Sequence, residues 1–131
     1  VWVGSPQFEV WRRDPLPIAV YESTSMARQA TLAALGTRRR GYHLVYHSPS
    51  LAGQLAAVES GLAVAVLTRC SVPPHLQILQ NLPAEFDLPP LASMNVAVLR
   101  SKVSLRSPAV DAMYEQMVRT LGRRGELLPK A

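Results

Sequence analysis

Cysteine is almost absent from this chain: Cys70 stands alone among 131 residues. A single thiol excludes an internal disulfide and a cysteine-built metal cluster, and it fits a reducing cytoplasm. Without a base in view, Cys70 is a packing residue before it is a nucleophile. Aromatic residues make up only 6% of the chain, and none interleaves with the arginines as a stacking platform for nucleic acid would require. No apolar run approaches the length of a membrane span, and no basic-apolar-small pattern opens the chain as a signal peptide. The first residue is Val1, as in an excised or processed piece of a longer chain.

The chain also lacks the common signatures of chemistry. Neither G-x-G-x-x-G nor G-x-x-x-x-G-K-[ST] occurs, so dinucleotide and P-loop binding have no support. There is no G-x-S-x-G nucleophile elbow. His43, His47 and His75 lack the close spacing of a zinc site. No pair of carboxylates falls near a strand end, where acid–base work is done. The expectation is therefore no enzyme, no metal and no cofactor. Acidic residues are the scarcer sign, 9 against 14 basic for a net charge of +5. A basic balance invites a nucleic-acid reading. The arginines, however, lie in short groups (Arg12–Arg13, Arg38–Arg40, Arg123–Arg124), as on solvated loop ends and helix termini.

What is present is an α/β alternation with 48% hydrophobic residues. It centres on HSPSLAGQLAAVESGLAVAVLTRCSVP, residues 47–73. Ser48 is placed to cap a helix, with Pro49 at its first position. Leu51, Leu55, Val58 and Leu62 recur at helical spacing as one apolar stripe. Ala52, Gly53, Ala56 and Ala57 keep the surface around it thin. Gly61 suits a left-handed helix end, and Ala63–Leu67 is a continuous apolar run, as in a strand covered on both faces.

Upstream, Val1–Val3 reads as the tail of a strand whose sheet partners precede it. Phe8, Val10 and Trp11 are packing points of a connector. Leu16–Tyr21 is a strand in which Pro17 is tolerable near the start or on an edge. Thr24 or Ser25 caps a helix over about 26–35, with Met26, Ala30, Ala33 and Ala34 as its apolar positions. Tyr42–Tyr46 is the next strand, and His43 in it reads as a half-exposed sheet residue. Downstream, 68–72 is a short turn or helix, 76–79 a short strand, 80–93 a proline-rich loop or crossing, and 94–99 a further strand. Ser107-Pro108 opens a helix with Val110, Met113, Tyr114, Met117, Val118 and Leu121 on one face. Gly122 ends it, and a frayed polar tail follows.

Hydroxyl-rich turns follow three of these strands: Ser23, Thr24 and Ser25; His47, Ser48, Pro49 and Ser50; and Thr68. In a parallel sheet they fall at one edge, where α/β folds place their ligands. Two of them open helices, whose N–H groups favour a carboxylate or phosphate.

This arrangement resembles the effector-binding domain of LysR-type transcriptional regulators. YHSPSLAGQLAAVESGLAVAVLTRCSVP (46–73) carries the family's strand, polar turn, helix and "aaV..GlGvavLP" order. LPIAVYESTSMARQATLAAL (16–35), VWVGSP (1–6), MNVAVLRS (94–101) and SPAVDAMYEQMVRTL (107–121) resemble the neighbouring elements. Ala63 departs from the family's frequent glycine, and Thr68-Arg69 from its usual proline-arginine. The resemblance implies a type 2 periplasmic-binding-protein-like lobe with a mostly parallel central sheet. On that reading 1–12 ends a first lobe and makes a hinge crossing, and 13–92 is the second lobe. Residues 93–131 then return as the second crossing, a strand and a C-terminal helix of the first lobe. It further implies a small, anionic effector held between lobes, with contacts at Ser23–Ser25, His47–Ser50 and Thr68, and at Ser5 near the hinge. Partners would be the effector and further copies of the chain, in dimers and tetramers. In the family the helix matching 26–35 packs against another subunit. DNA would be bound only by a winged helix-turn-helix outside these residues. A lobe of a periplasmic solute-binding protein is the alternative, and a small α/β enzyme using His47 or Cys70 a third.

Overall fold

The computed structural model describes residues 1–38, 40–101 and 107–125. They fall into two compact units, residues 1–92 and 93–131.

The first unit is built on a five-stranded mixed sheet. Its strands are β1 (Trp2–Gly4), β2 (Leu16–Val20), β3 (Tyr42–His47), β4 (Val64–Val66) and β5 (Gln77–Ile78). Their order across the sheet is β3-β2-β4-β1-β5. β2 pairs in parallel with β3 and β4, while β1 runs antiparallel to β4 and β5. The sheet partners of Trp2–Gly4 thus lie downstream in the same unit, not upstream of it. Once β4 and β5 flank it, this short β-prone run needs no other neighbour. Pro17 sits in an interior strand, one residue ahead of the β4 pairing that opens at Ile18↔Val64. Its missing N–H therefore falls where that ladder has not yet begun. Val45 is the extra residue of a β-bulge opposite Ile18 and Ala19.

Alternation along the strands divides the core into two layers. Trp2, Ile18, Val20, Val64 and Val66 point to one face, where Leu35 of helix α1 (Met26–Gly36) covers them with Val10 and Trp11. Val3, Ala19, Ala63, Ala65 and Leu67 point to the other, under Ala57 and Val58 of helix α2 (Leu51–Glu59). Four alanines at this second contact let α2 lie close to the sheet. Every residue from Ala63 to Leu67 is buried, as its sequence requires.

Two helix faces differ from the apolar stripes. On α2 the buried residues are Gln54, Ala57 and Val58, while Leu51 and Leu62 are 38% and 43% exposed. Ala57 alone of the small residues turns fully inward, beside Val58 and with Leu55 packed at the border. Ala52 and Ala56 stay exposed, and Leu51 and Leu62 stay at the margin. On α1 the buried residues are Thr31 and Leu35, whereas Met26 is exposed. Thr31 is tolerated there because its Oγ1 donates to the Ala27 carbonyl at 2.7 Å. Ser50, not Ser48, is the N-cap residue of α2. Ser48 is biased to extended backbone by Pro49, and its Oγ instead accepts from the Ser50 N–H at 3.2 Å. Gly61 takes φ +69°. Its N–H donates to the Val58 carbonyl at 3.1 Å and that of Leu62 to Ala57 at 3.0 Å, which is a Schellman end.

The proline-rich segment after β5 is held down without regular structure beyond a 3-10 turn at Ala84–Phe86. Trp2 Nε1 donates to the Pro89 carbonyl at 2.8 Å. Arg40 donates to the carbonyls of Trp11, Arg13 and Phe86, and Arg38 pairs with Asp87 at 3.3 Å. Burial lowers the pKa of Arg40, opposed by the Asp14 carboxylate. Arg40 is thus a tie between loops rather than a solvated loop end.

In the second unit, helix α3 spans Pro108–Gly125. Ser107 Oγ accepts the Val110 N–H at 3.2 Å, the cap its sequence announces. Arg100 and Asp111 form an ion pair. The helix does not end at Gly122. A glycine inside a helix costs only ~1 kcal/mol, and nothing at that position requires a turn. Residues 94–99 are not a strand. An extended apolar run becomes one only beside a hydrogen-bonding partner, and none pairs with it among the described residues. Met94, Val96, Leu99 and the α3 residues Val110, Met113 and Met117 are exposed. The polar tail at 126–131 lies outside the described residues.

Candidate functional site

Three of the polar turns share one edge of the sheet. β2 and β3 are parallel and end in register, Val20 beside His47, and the Ser48 N–H donates to the Val20 carbonyl at 3.1 Å. β4 runs alongside β2 in the same direction. Residues 21–25, 47–50 and 68–71 therefore leave the sheet at the carboxyl ends of three adjacent strands. The first leads to α1 and the second to α2, on opposite faces. Such a parting of neighbouring connections leaves a crevice at the strand ends.

Ser23 and Thr24 are exposed in the first corner, and Ser25 is half-buried as the N-cap of α1. His47, Pro49 and Ser50 are exposed in the second, with Ser48 half-buried. Thr68 is half-buried in the third, where its Oγ1 and the Ser71 Oγ lie 2.6 Å apart. Glu22 and His47 link the first two corners, Oε1 to Nδ1 at 3.6 Å. Neither Ser25 nor Ser50 makes a side-chain cap bond. Their hydroxyls are thus not spent on their own helices, and the first-turn N–H groups keep their partial positive charge. Tyr21, at the root of the first corner, has its pKa raised by burial.

Ser5 is set apart from this group. Because β1 is antiparallel to β4, its carboxyl end falls at the other edge of the sheet, beside Gln77. Ser5 is buried there, and its carbonyl accepts the N–H groups of Phe8 and Glu9. Proximity along the chain to a crossing does not carry over into space once the strand reverses direction.

The residue that pattern reading missed is Gln54. It is fully buried, and its Nε2 donates to the carbonyls of Val20 at 2.7 Å and Ser48 at 2.9 Å. A face drawn through Ala57, Val58 and Gly61, at helical spacing from it, would have placed this amide inward.

The histidines make no metal centre: His75 pairs with Glu59 at 2.8 Å, and His43 is exposed. Among the described residues no group of three or more His, Cys, Asp or Glu side chains can hold a metal ion. The same residues contain no helix long and apolar enough to cross a membrane. A second, charged cleft of about 270 Å³ is lined by Arg12, Asp14, Arg38, Arg40 and residues 84–87. Its guanidinium groups are already engaged, Arg12 with Glu9 and the Phe86 ring, Arg38 with Asp87, and Arg40 with the three carbonyls.

A layered α/β sheet, with its polar corners gathered at the carboxyl ends of three adjacent strands, sets the class of fold. The LysR substrate binding domain family matches residues 1–122, and this chain belongs to that family. With membership comes the α/β fold of type 2 periplasmic binding proteins. The chain is also 39% identical over 98 residues, 75% of its length, to a protein of Burkholderia cepacia named HTH-type transcriptional regulator DgdR. It spans about a third of that relative, 32% of its length.

Proposed function

We propose that this chain is the part of a bacterial LysR-type regulator that senses a small, anionic metabolite. The ligand would sit in a cleft between two lobes, one wall of which is the rim formed by residues 23–25, 47–50 and 68. Binding changes the arrangement of the lobes and, through contacts between subunits, the geometry of an oligomer. DNA would be held by a winged helix-turn-helix elsewhere in the whole protein, in the cytoplasm. The observation that carries this reading is the convergence of three hydroxyl-bearing corners on one edge, two of them opening helices without side-chain caps. Those helix ends favour a carboxylate or phosphate over a cation.

Within this reading, residues 1–12 bring the chain across from a first lobe, 13–92 form the second lobe, and 93–131 return to the first. The exposed apolar residues at 94–99 and on α3 support that division, because they are what a strand and a helix present to a sheet that covers them. A solute-binding receptor of the same fold lacks such support, since the relative's name is that of a transcriptional regulator.

The test is operator binding by the intact regulator, titrated with a panel of small carboxylates and phosphates. An active compound should lose about fivefold or more in potency on replacing Ser25 and Ser50 together by alanine, the scale of one or two hydrogen bonds. Thermal stability should hardly change, because neither hydroxyl caps its helix. A compound that demonstrably occupies the cleft yet leaves operator binding unaltered would end the sensor reading.

A further inference from the structure

We propose that Gln54 is a positioning residue of the rim, holding the corner after β2 and the corner after β3 at a fixed separation. This rests on reading that rim as an effector site. Val20 is the last residue of β2, and Ser48 is the first residue beyond β3. From these points the chain departs toward opposite faces of the sheet. Gln54, in the first turns of α2, donates to both carbonyls from one nitrogen. The end of β2, the end of β3 and the start of α2 are therefore tied at a single carboxamide. Both neighbours are acceptors, so only the orientation with nitrogen facing them is chemically sensible.

Simple packing does not account for this side chain. Gln54 is completely buried, and its Oε1 has no hydrogen-bond partner. An unpaired buried acceptor is costly, and methionine or leucine would fill similar space without it. What glutamine adds is two donors, each directed at a different strand end. Where those ends stand decides where the free N–H groups of α2 lie relative to Ser23–Ser25. Gly53 beside it leaves room for the Tyr46 and Ser48 hydroxyls, which would lie 2.7 and 2.8 Å from an added Cβ. The crevice is thus closely fitted on the tied side.

Hydrogen exchange of the intact protein, with and without the tie, tests this. Gln54→Met should speed exchange of the hydrogen-bonded amides at positions 48, 50 and 54 by at least about tenfold, the scale of a lost buried hydrogen bond. Exchange across 63–67 in the buried strand should stay within about twofold of the parent protein, since its ladder is untouched. In Gln54→Glu the buried carboxyl faces two carbonyls, which raises its pKa. Protonated, it donates one bond; ionised, it donates none. Protection of amides 48, 50 and 54 should therefore be greater at pH 5 than at pH 8, after correction for intrinsic exchange. Unchanged exchange at positions 48, 50 and 54 in Gln54→Met overturns the proposal, as does equal acceleration there and at 63–67, which signals general loss of stability alone. Should Gln54→Met fail to fold, pH-independent protection in Gln54→Glu overturns it. No ligand enters the measurement, so its outcome is separate from that of the effector titration.

Discussion

At Gly61 the backbone sits at φ +69°, and an added Cβ would run into the ring of Phe8. Left-handed backbone costs a residue with a side chain about 1–2 kcal/mol, and the displaced ring adds to that. Gly61→Ala should therefore lower unfolding free energy by about 2 kcal/mol in urea denaturation. The double variant with Phe8→Ala should recover the steric part of the loss and keep the conformational part. Tyr21 makes a different prediction. Burial raises its pKa, so the folded state holds the phenol proton more tightly than the unfolded chain does. The stability this confers is fully present below the unfolded value of about 10 and is lost as pH rises through the folded pKa. Tyr21→Phe should flatten the alkaline limb of the stability profile above about pH 10 and leave the neutral range unchanged.

The elements take their places from volume as much as from hydrophobicity. α2 buries the narrow face of Gln54, Ala57 and Val58 and leaves Leu51 at the margin. Ala57→Leu should then cost about 1–3 kcal/mol by overpacking against the second core layer. Leu51→Ala should cost under about 1 kcal/mol, because much of that side chain already meets water. Urea midpoints of the two variants decide between this face and the leucine stripe. If Leu51→Ala is the more damaging, the helix is rotated from the position described.

For the molecule as a whole, the irregular segment after β5 is fastened by arginine rather than by secondary structure. Arg40 reaches the carbonyls of Trp11, Arg13 and Phe86, which lie 29, 27 and 46 residues away in sequence. Arg40→Met should remove about 2 kcal/mol, since hydrogen bonds from a charged donor are the stronger kind. It should also make the peptide bonds around 84–87 newly open to limited proteolysis. Arg38→Met should have a much smaller effect, because the Arg38–Asp87 pair is half-exposed and such pairs contribute little.

Much of the local structure is decided by short-range chemistry and can be read along the chain. Apolar runs at 16–20 and 63–67, the glycine stop at 61 and the serine-proline start at 107–108 need only their neighbours to make sense. So do the polar turns at 23–25, 47–50 and 68, and the family patterns around them. Tertiary structure decided the rest. Whether 1–3 finds partners upstream or downstream, and whether 94–99 becomes a strand, depends on what lies beside them, which no local pattern records. The direction of β1 alone moved Ser5 to the far edge. Helix rotation was settled by the fit of Ala57 and Val58 against the sheet's alanines, and that fit brought Gln54 inside. Local preference depends on side chains a few residues apart, whereas facing, register and burial depend on volumes and hydrogen-bond partners supplied from a distance.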